Sequence, residues 1–349
     1  MRFLIAGGGT GGHVFPGIAL AQGLKRLSSK HEIIFVGTPA GIETRAVPKA
    51  GFQLETIEIS GLKGRSLAKT LKALLQLPVA ILRSVQIIRK LEPDCVIGVG
   101  GYASGPVLLA AWFSRIPRVI CEQNSIPGFT NRVLGKYFVK HIFGAFSKCA
   151  NYFPPGRFVL TGNPLRSDFA ETMAGKPDGV LILGGSLGAR PLNNILPKAL
   201  ARVDKIKITH QTGLAELESV KAAYAGLGLE ADVTAFIEDM PKAYLEAKLV
   251  IARAGATTCS ELTALGVPSI LIPFPQAIDD HQTENAKELV DAGAAMWVKQ
   301  ADMTPESLAG RIQHLLLDLK TLENMANKAR QMGKPNAADI VARKVVELC

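Results

Sequence analysis

Disulfide, zinc and membrane-spanning chemistry find little to work with in this sequence. The five cysteines, Cys95, Cys121, Cys149, Cys259 and Cys349, are odd in number and scattered, and no two stand as C-x-x-C. Neither a disulfide framework nor a zinc site follows, and reduced thiols of a cytosolic protein are the plain expectation. Gly7 cuts the first apolar run too early for a signal peptide. No uninterrupted apolar run approaches the roughly 18 residues of a membrane span, so any membrane contact is expected to be peripheral. No Gly-Lys-Ser/Thr follows any glycine-rich loop, which excludes a Walker A site. Asp279-Asp280 invites a metal but lacks further ligands, so no metal is expected and an N-cap aspartate is. Acid is missing altogether from Leu62 to Lys90, a stretch that holds seven Lys and Arg.

What is present is enough for two domains. The chain has 349 residues, 48% hydrophobic and 20% charged, a globular composition able to bury a sizeable core. Its net charge of +10 is unevenly placed. Residues 1–160 carry 20 Lys and Arg against 7 Asp and Glu, whereas residues 161–349 carry 20 against 23. One half is basic and the other is not.

The opening stretch organises the reading. Phe3-Leu4-Ile5-Ala6 predicts a buried strand, five of the next six residues are glycine, and His13 precedes the apolar helical stretch Val14–Leu24. Strand, glycine loop and helix together present backbone N–H groups and a helix N-terminus to an anion. Further strands are expected at Ile33–Val36, Val96–Val99, Val119–Cys121 and Phe158–Thr161, alternating with helices, as in a parallel doubly wound sheet. The pattern restarts near Gly179. Val180–Leu183 runs into the glycine turn Gly184–Ala189 and a helix over Pro191–Leu200. Strands are then expected at Lys207–Gln211, Val233–Phe236, Leu249–Ala252 and Ser269–Ile272. The reading is therefore α/β, two Rossmann-like domains whose parallel sheets face a central cleft. The first is expected over residues 1–162 and the second over 163–335. Residues 336–349 form a closing helix that is a candidate to pack on the first.

Gly7-x-Gly9-x-x-Gly12 formally matches the dinucleotide motif. That motif also needs an acid at the end of the second strand to hold a ribose. Here the strand ends Phe35-Val36-Gly37-Thr38-Pro39, and the next acid is Glu43. The loop therefore suits a sugar or a phosphate better than a dinucleotide. A third loop, Gly100–Pro106, ends another strand on the same expected edge. In the basic stretch, aliphatic residues outnumber what one core-facing stripe needs, and Pro78 is expected to break or kink the helix. Such a segment suits an anionic bilayer surface, while two ordinary core helices with solvated Lys and Arg remain the alternative. Nucleic acid is disfavoured, because the basic residues interleave with aliphatics and not with base-stacking aromatics.

Four stretches carry a family resemblance: Gly8-Gly-Thr-Gly-Gly-His13, Glu122-Gln-Asn-Ser-Ile-Pro-Gly128, Gly184-Gly-Ser-Leu-Gly-Ala189, and Arg253-Ala-Gly-Ala-Thr-Thr-Cys-Ser-Glu261 continuing to Asp280-His-Gln-Thr-Glu-Asn285. In this order they closely resemble the MurG family, N-acetylglucosaminyltransferases of peptidoglycan synthesis. The resemblance implies the two-domain GT-B glycosyltransferase fold. It also implies inverting transfer of N-acetylglucosamine from UDP-N-acetylglucosamine to the C4 hydroxyl of an undecaprenyl-diphospho-muramoylpentapeptide. No cofactor or metal is implied. The implied place is the cytoplasmic face of the inner membrane, held peripherally on anionic lipid. A related transferase with a diacylglycerol acceptor and a non-catalytic nucleotide-sugar-binding protein are the alternatives.

Inverting transfer needs one base for the acceptor hydroxyl and stabilisation of the departing diphosphate. His13 resembles the family's base, and a helix N-terminus disfavours a cation there. Glu122 competes for that role; capping or substrate hydrogen bonding by His13, and a donor-orienting or solvated Glu122, are the structural alternatives. Thr10, Gly11 and Gly12 resemble contacts to the donor sugar and acceptor. Asn124 resembles a reader of donor-sugar hydroxyls, or is an ordinary turn asparagine. Arg166 and Ser186 match positions that hold the diphosphate, with an N-cap as the alternative for Ser186. Ile237 resembles the residue that reads uracil through its backbone. Glu261 matches a ribose-binding glutamate, yet Thr258-x-x-Glu261 also fits a capping box. Gln282 resembles a contact to a sugar hydroxyl. Leu74, Leu75, Ile81, Leu82 and Trp112 fall where the family carries its membrane patch.

Overall fold

The computed structural model describes the backbone of residues 1–59, 67–171 and 177–349, and the side chains of residues 1–59, 76–169 and 177–349. Two compact units divide the chain: Met1–Ser167 together with Asn336–Cys349, and Asp168–Pro335.

Short aliphatic runs with few charges form parallel strands covered on both faces. In the first unit these are β1 (Arg2–Gly7), β2 (Glu32–Gly37), β3 (Gln53–Thr56), β4 (Cys95–Gly100), β5 (Arg118–Glu122), β6 (His141–Gly144) and β7 (Phe158–Leu160). They lie in the order β3-β2-β1-β4-β5-β6-β7, all parallel. The second unit has β8 (Val180–Leu183), β9 (Ile208–Gln211), β10 (Asp232–Thr234), β11 (Leu249–Ala252), β12 (Ser269–Leu271) and β13 (Ala295–Trp297). Their order, β10-β9-β8-β11-β12-β13, repeats the first pattern, again all parallel. In each unit the winding reverses beside the first strand. The loops leaving β1 and β4 diverge, as do those leaving β8 and β11. Such switch points at the carboxyl ends of strands leave crevices that ligands fill.

The first unit's helices are α1 (Gly11–Leu27), α2 (Glu43–Lys49), α3 (Leu67–Leu91), α4 (Ser104–Phe113) and α5 (Phe129–Tyr137). The second carries α6 (Asp168–Glu171), α7 (Arg190–Leu200), α8 (Leu217–Gly226), α9 (Met240–Glu246), α10 (Ala256–Leu265), α11 (His281–Asp291), α12 (Pro305–Leu317) and α13 (Leu319–Met332). The final helix, α14 (Ala337–Val346), belongs to the first unit. It packs on α1, where Arg26 Nη2 meets Asp339 Oδ1 at 2.6 Å. A Cβ on Gly23 would stand 3.0 Å from the Ala338 carbonyl oxygen, so glycine permits the close approach.

Alternation along the strands builds two core layers in the first unit. Phe3, Ile5, Phe35, Ile97 and Val119 point to the α1 and α14 side with Leu20, Leu24 and Val341. Leu4, Ala6, Val36, Val96 and Ile120 point to the α3 and α4 side with Ile87, Ile88, Val107 and Leu108.

Two sequence expectations change in part. Of the break or kink expected at Pro78, the break does not occur: α3 continues through it, and Pro78 lies exposed. Ala80, Ser84, Ile87 and Ile88 form a buried face behind it, and that packing outweighs one missing backbone hydrogen bond. Asp280 does stand at the N-cap of α11, but makes no cap bond to the backbone; its Oδ1 accepts from the Thr283 hydroxyl at 2.7 Å. Among the described residues no helix is long and apolar enough to cross a membrane, and no group of three or more His, Cys, Asp or Glu could hold a metal. Leu74 and Leu75 lie outside the described side chains.

Candidate active site

The first glycine loop turns at the switch point between β1 and β4. Thr10 caps α1 in an extended conformation without a side-chain hydrogen bond, so no side chain claims the helix's first N–H groups. Thr10 and Gly12 are exposed and Gly11 half-buried. His13, third in the helix, is half-buried. Its ring lies over Gly100, where a Cβ would come within 2.7 Å of Nδ1 and where φ is +89°. Only glycine meets both demands. Nδ1 sits 3.2 Å from Gln123 Oε1. Gln123 is buried, and its amide donates to the carbonyls of Val99 (3.1 Å) and Cys121 (3.2 Å). The ends of β1, β4 and β5 thus converge on one imidazole.

Glu43 holds the loop from the other side. It is 1% exposed. Its Oε2 accepts from the Gly9 N–H, and its Oε1 from the Thr38 N–H and hydroxyl, each at 2.8 Å. Gly8, Gly37 and Gly41 crowd it so closely that a Cβ on any of them would collide with the carboxylate. Burial opposes its ionisation, but the hydrogen bonds from Thr38 and Gly9 outweigh that and hold its pKa below the ordinary 4.5. The acid too far along to grip a ribose is therefore the brace of the glycine loop.

Glu122, at the end of β5, is 3% exposed, which removes the solvated reading. Its Oε1 accepts from the Asn124 N–H (3.0 Å) and side-chain amide (3.4 Å). Its Oε2 accepts from the Gly128 N–H (3.3 Å) and Asn131 Nδ2 (2.8 Å). A carboxylate occupied by four donors organises the loop that presents Asn124 and is poorly placed to take a proton. Arg166 is half-buried in the extended segment after β7, in the first unit.

The second unit repeats the device. The loop Gly184–Ala189 leaves β8, and Ser186 is exposed in its turn. The N-cap of α7 is Ala189, so Ser186 does not cap the helix. Gln211, buried at the end of β9, ties two pieces together. Its amide donates to the Gly185 carbonyl at 3.2 Å, and its Oε1 accepts from the Ile237 N–H at 2.9 Å. Hence Ile237's N–H is already engaged, and a base would be met there by the carbonyl or after Gln211 moves.

The loop after β11 is fixed by Arg253, whose guanidinium donates to the carbonyls of Ile272 (3.1 Å) and Pro273 (3.2 Å) and to Gln300 Oε1 (2.6 Å). Burial pushes Arg253 down to about 10. Asn285 Nδ2 donates to the Ala254 carbonyl at 3.2 Å. Gly255 is the N-cap of α10 and has no side chain to close the helix end. Thr258 therefore lies inside the helix, and the capping box expected with Glu261 does not form. Glu261 Oε2 instead accepts from Tyr244 Oη at 2.9 Å. Burial, with Glu261 adding to it, pushes the Tyr244 phenol well above its ordinary value. Gln282 Oε1 accepts from the Phe274 N–H at 2.9 Å.

Thr10–His13, Glu122, Asn124 and Arg166 accordingly belong to the first unit, and Ser186, Ile237, Glu261 and Gln282 to the second. Sequence reasoning missed Gln123, Glu43 and Gln211. For Gln123 and Gln211 the signal was available: each is an amide ending a run of strand residues.

Residues 3–143 match the glycosyltransferase family 28 N-terminal domain and residues 179–341 the glycosyltransferase family 28 C-terminal domain. The chain is 47% identical to the UDP-N-acetylglucosamine–N-acetylmuramyl-(pentapeptide) pyrophosphoryl-undecaprenol N-acetylglucosamine transferase of Myxococcus xanthus, covering 100% of this chain and 93% of that protein. It is 45% identical to the protein of the same name from Syntrophus aciditrophicus, covering 98% and 97%. The crystal structure of Acinetobacter baumannii MurG superposes with a TM-score of 0.83 at 39% identity, over 99% of both chains. Two parallel doubly wound sheets in this order are those of the GT-B fold. With both domain matches and full-length identity of this size, the chain belongs to glycosyltransferase family 28 and, within it, to the MurG family.

Proposed function

We propose that this chain is an inverting hexosyltransferase that moves N-acetylglucosamine from UDP-N-acetylglucosamine to the C4 hydroxyl of an undecaprenyl-diphospho-muramoylpentapeptide, a step of peptidoglycan synthesis. One observation carries the reading: a half-buried imidazole stands at a switch point on a buried frame of glycine and amide groups. His13 takes the acceptor's proton as its oxygen attacks the anomeric carbon, and UDP leaves with the bonding electron pair. Glu122 shapes the loop that carries Asn124 to the donor sugar. The loop around Ser186 and the N-terminus of α7, which no side chain caps, receive the diphosphate, and Arg166 is assigned charge-assisted hydrogen bonds to phosphate. Ile237 reads the uracil, Glu261 the ribose hydroxyls, and Gln282 a sugar hydroxyl.

Titration calorimetry with UDP, UDP-N-acetylglucosamine and NAD tests this directly. The two uridine nucleotides are expected to bind and NAD to give no heat; preferential NAD binding would sink the assignment. Glu261→Ala is expected to weaken UDP binding by about tenfold to a hundredfold, on the scale of one charged hydrogen-bond pair. Unchanged UDP affinity with reduced stability would leave Glu261 as the partner of Tyr244 alone.

The acceptor's lipid requires a membrane surface, and α3 with α4 offers one. Val79 and Leu82 are each 65% exposed on α3, with Ile81 partly covered; Trp112 and Phe113 are exposed at the end of α4, where Phe113 lines a pocket with Val85, Ile88 and Arg89 of α3. Trp112 packs edge-on against Phe113 (4.9 Å between ring centroids) and Phe138 (5.2 Å). Arg83, Arg89 and Lys90 are exposed on the same helix. An apolar patch among basic residues suits the anionic cytoplasmic leaflet. Leu82→Glu with Phe113→Glu is expected to abolish most co-sedimentation with phosphatidylglycerol-containing vesicles and to leave UDP binding intact. Undiminished sedimentation would place the membrane contact elsewhere.

A further inference from the structure

Gln123 belongs to none of the roles assigned above, yet it makes the only side-chain hydrogen bond to His13 among the described residues. Its chemistry is unusually constrained. The side chain is 1% exposed, and its terminal nitrogen lies 3.1 Å from the Val99 carbonyl oxygen and 3.2 Å from that of Cys121. Both neighbours are pure acceptors. Rotating the amide by half a turn would set its oxygen against two carbonyl oxygens and leave its NH₂ without them. The orientation is thus decided by the main chain of β4 and β5, and Oε1 must face His13 as an acceptor.

We infer that Gln123 is a positioning residue that fixes the tautomer of His13. An amide oxygen can only receive a hydrogen bond, so Nδ1 carries the proton. Nε2, on the side of the ring away from Gln123, keeps its lone pair. Gly100 completes the device from below: its missing side chain lets the ring settle where Nδ1 reaches Oε1. The free imidazole in water favours the opposite tautomer, whose Nε2–H could only donate to an incoming hydroxyl. This inference rests on the reading of His13 as the base. In that step the acceptor's O–H proton passes to Nε2 and makes an imidazolium. The oxygen's electron pair forms the new glycosidic bond, and the old one breaks towards the UDP oxygen. A carboxylate in place of Gln123 would set a charged oxygen against the Val99 and Cys121 carbonyls; the amide alone offers an acceptor to Nδ1 and donors to the main chain.

The test separates the tautomer from catalysis. Long-range ¹H–¹⁵N correlation spectra of the full chain labelled with ¹⁵N-histidine, with the His13 signals assigned by their loss in His13→Ala, report which ring nitrogen is protonated. The unsubstituted protein is expected to show neutral His13 protonated at Nδ1; protonation at Nε2 overturns the inference without any variant. Gln123→Leu is expected to shift His13 towards the Nε2–H form and to lower kcat by about a hundredfold or more, with the KM for UDP-N-acetylglucosamine within about twofold. An unchanged tautomer in Gln123→Leu overturns the assignment to Gln123. A switched tautomer with undiminished kcat upholds it and refutes instead the reading of His13 as the base.

Discussion

His13→Ala is expected to lower kcat by about 10²–10⁴-fold, the range in which a positioned general base contributes. UDP affinity is expected to stay within about twofold, because the residues proposed to hold uracil, ribose and most of the diphosphate lie in the second unit. That separation gives the experiment its force. Loss of folding of the whole chain would lower UDP binding and activity together, and an unchanged urea-unfolding profile excludes loss of the first unit alone; loss of the base lowers turnover with both unaltered. The third helical position is half-buried, and alanine is the best helix former, so the substitution leaves α1 intact. Steady-state kinetics with a soluble acceptor analogue, alongside calorimetry with UDP, would read both quantities. A kcat within threefold of the unsubstituted enzyme would refute the assignment.

Glu43→Ala is expected to destabilise the first unit by about 3–5 kcal/mol, since removing the carboxylate strands the buried Thr38 N–H and hydroxyl and the part-buried Gly9 N–H. The glycine loop would then lose its anchor at Gly9, and activity should fall with stability. A pH dependence follows from the same geometry. The folded-state pKa of Glu43 lies below the unfolded value near 4.5. Its contribution is therefore present in full above that unfolded value and disappears as the pH falls through the depressed folded one. Glu43→Gln keeps one acceptor oxygen but cannot ionise. Urea unfolding at pH 7 and pH 4 should thus show a smaller loss of stability for Glu43→Gln than for the unsubstituted chain. Equal losses in the two proteins would show that the carboxylate's charge is not what holds the loop.

The legible parts of the fold were those where a continuous apolar run meets glycine. Leu249–Ala252 was read with the limits it has, and the strands entering both glycine loops were placed because nothing but a fully covered strand explains such runs. β3 and β13 lie at sheet edges and β6 one place in from one; each spans three or four residues and has too little periodicity to be seen. β10 stops at Thr234, short of the expected Phe236, as the chain turns so that Ile237 meets Gln211. At Glu261 the alternative of a capping box falls away: the box spacing is present, but the helix begins at Ala256. Motifs located the ends of the strands in the site. They did not reveal which buried amides and carboxylates hold those ends still, because Glu43 meets Gly8 only once the loops after β1 and β2 are folded together.

The first unit is made from two stretches of chain that flank the second. Ala337, Ala338, Val341, Ala342 and Val345 complete the apolar layer begun by Phe3 and Ile5, more than 300 residues upstream. During synthesis, the helix bearing the proposed base must therefore wait, one flank uncovered, until the entire second unit has left the ribosome. Closing a ring of that length is slow, and the exposed flank is a natural place for a chaperone to hold the nascent chain. Catalytic competence in the first unit is thus withheld until α14, on the far side of the whole second unit, has been made.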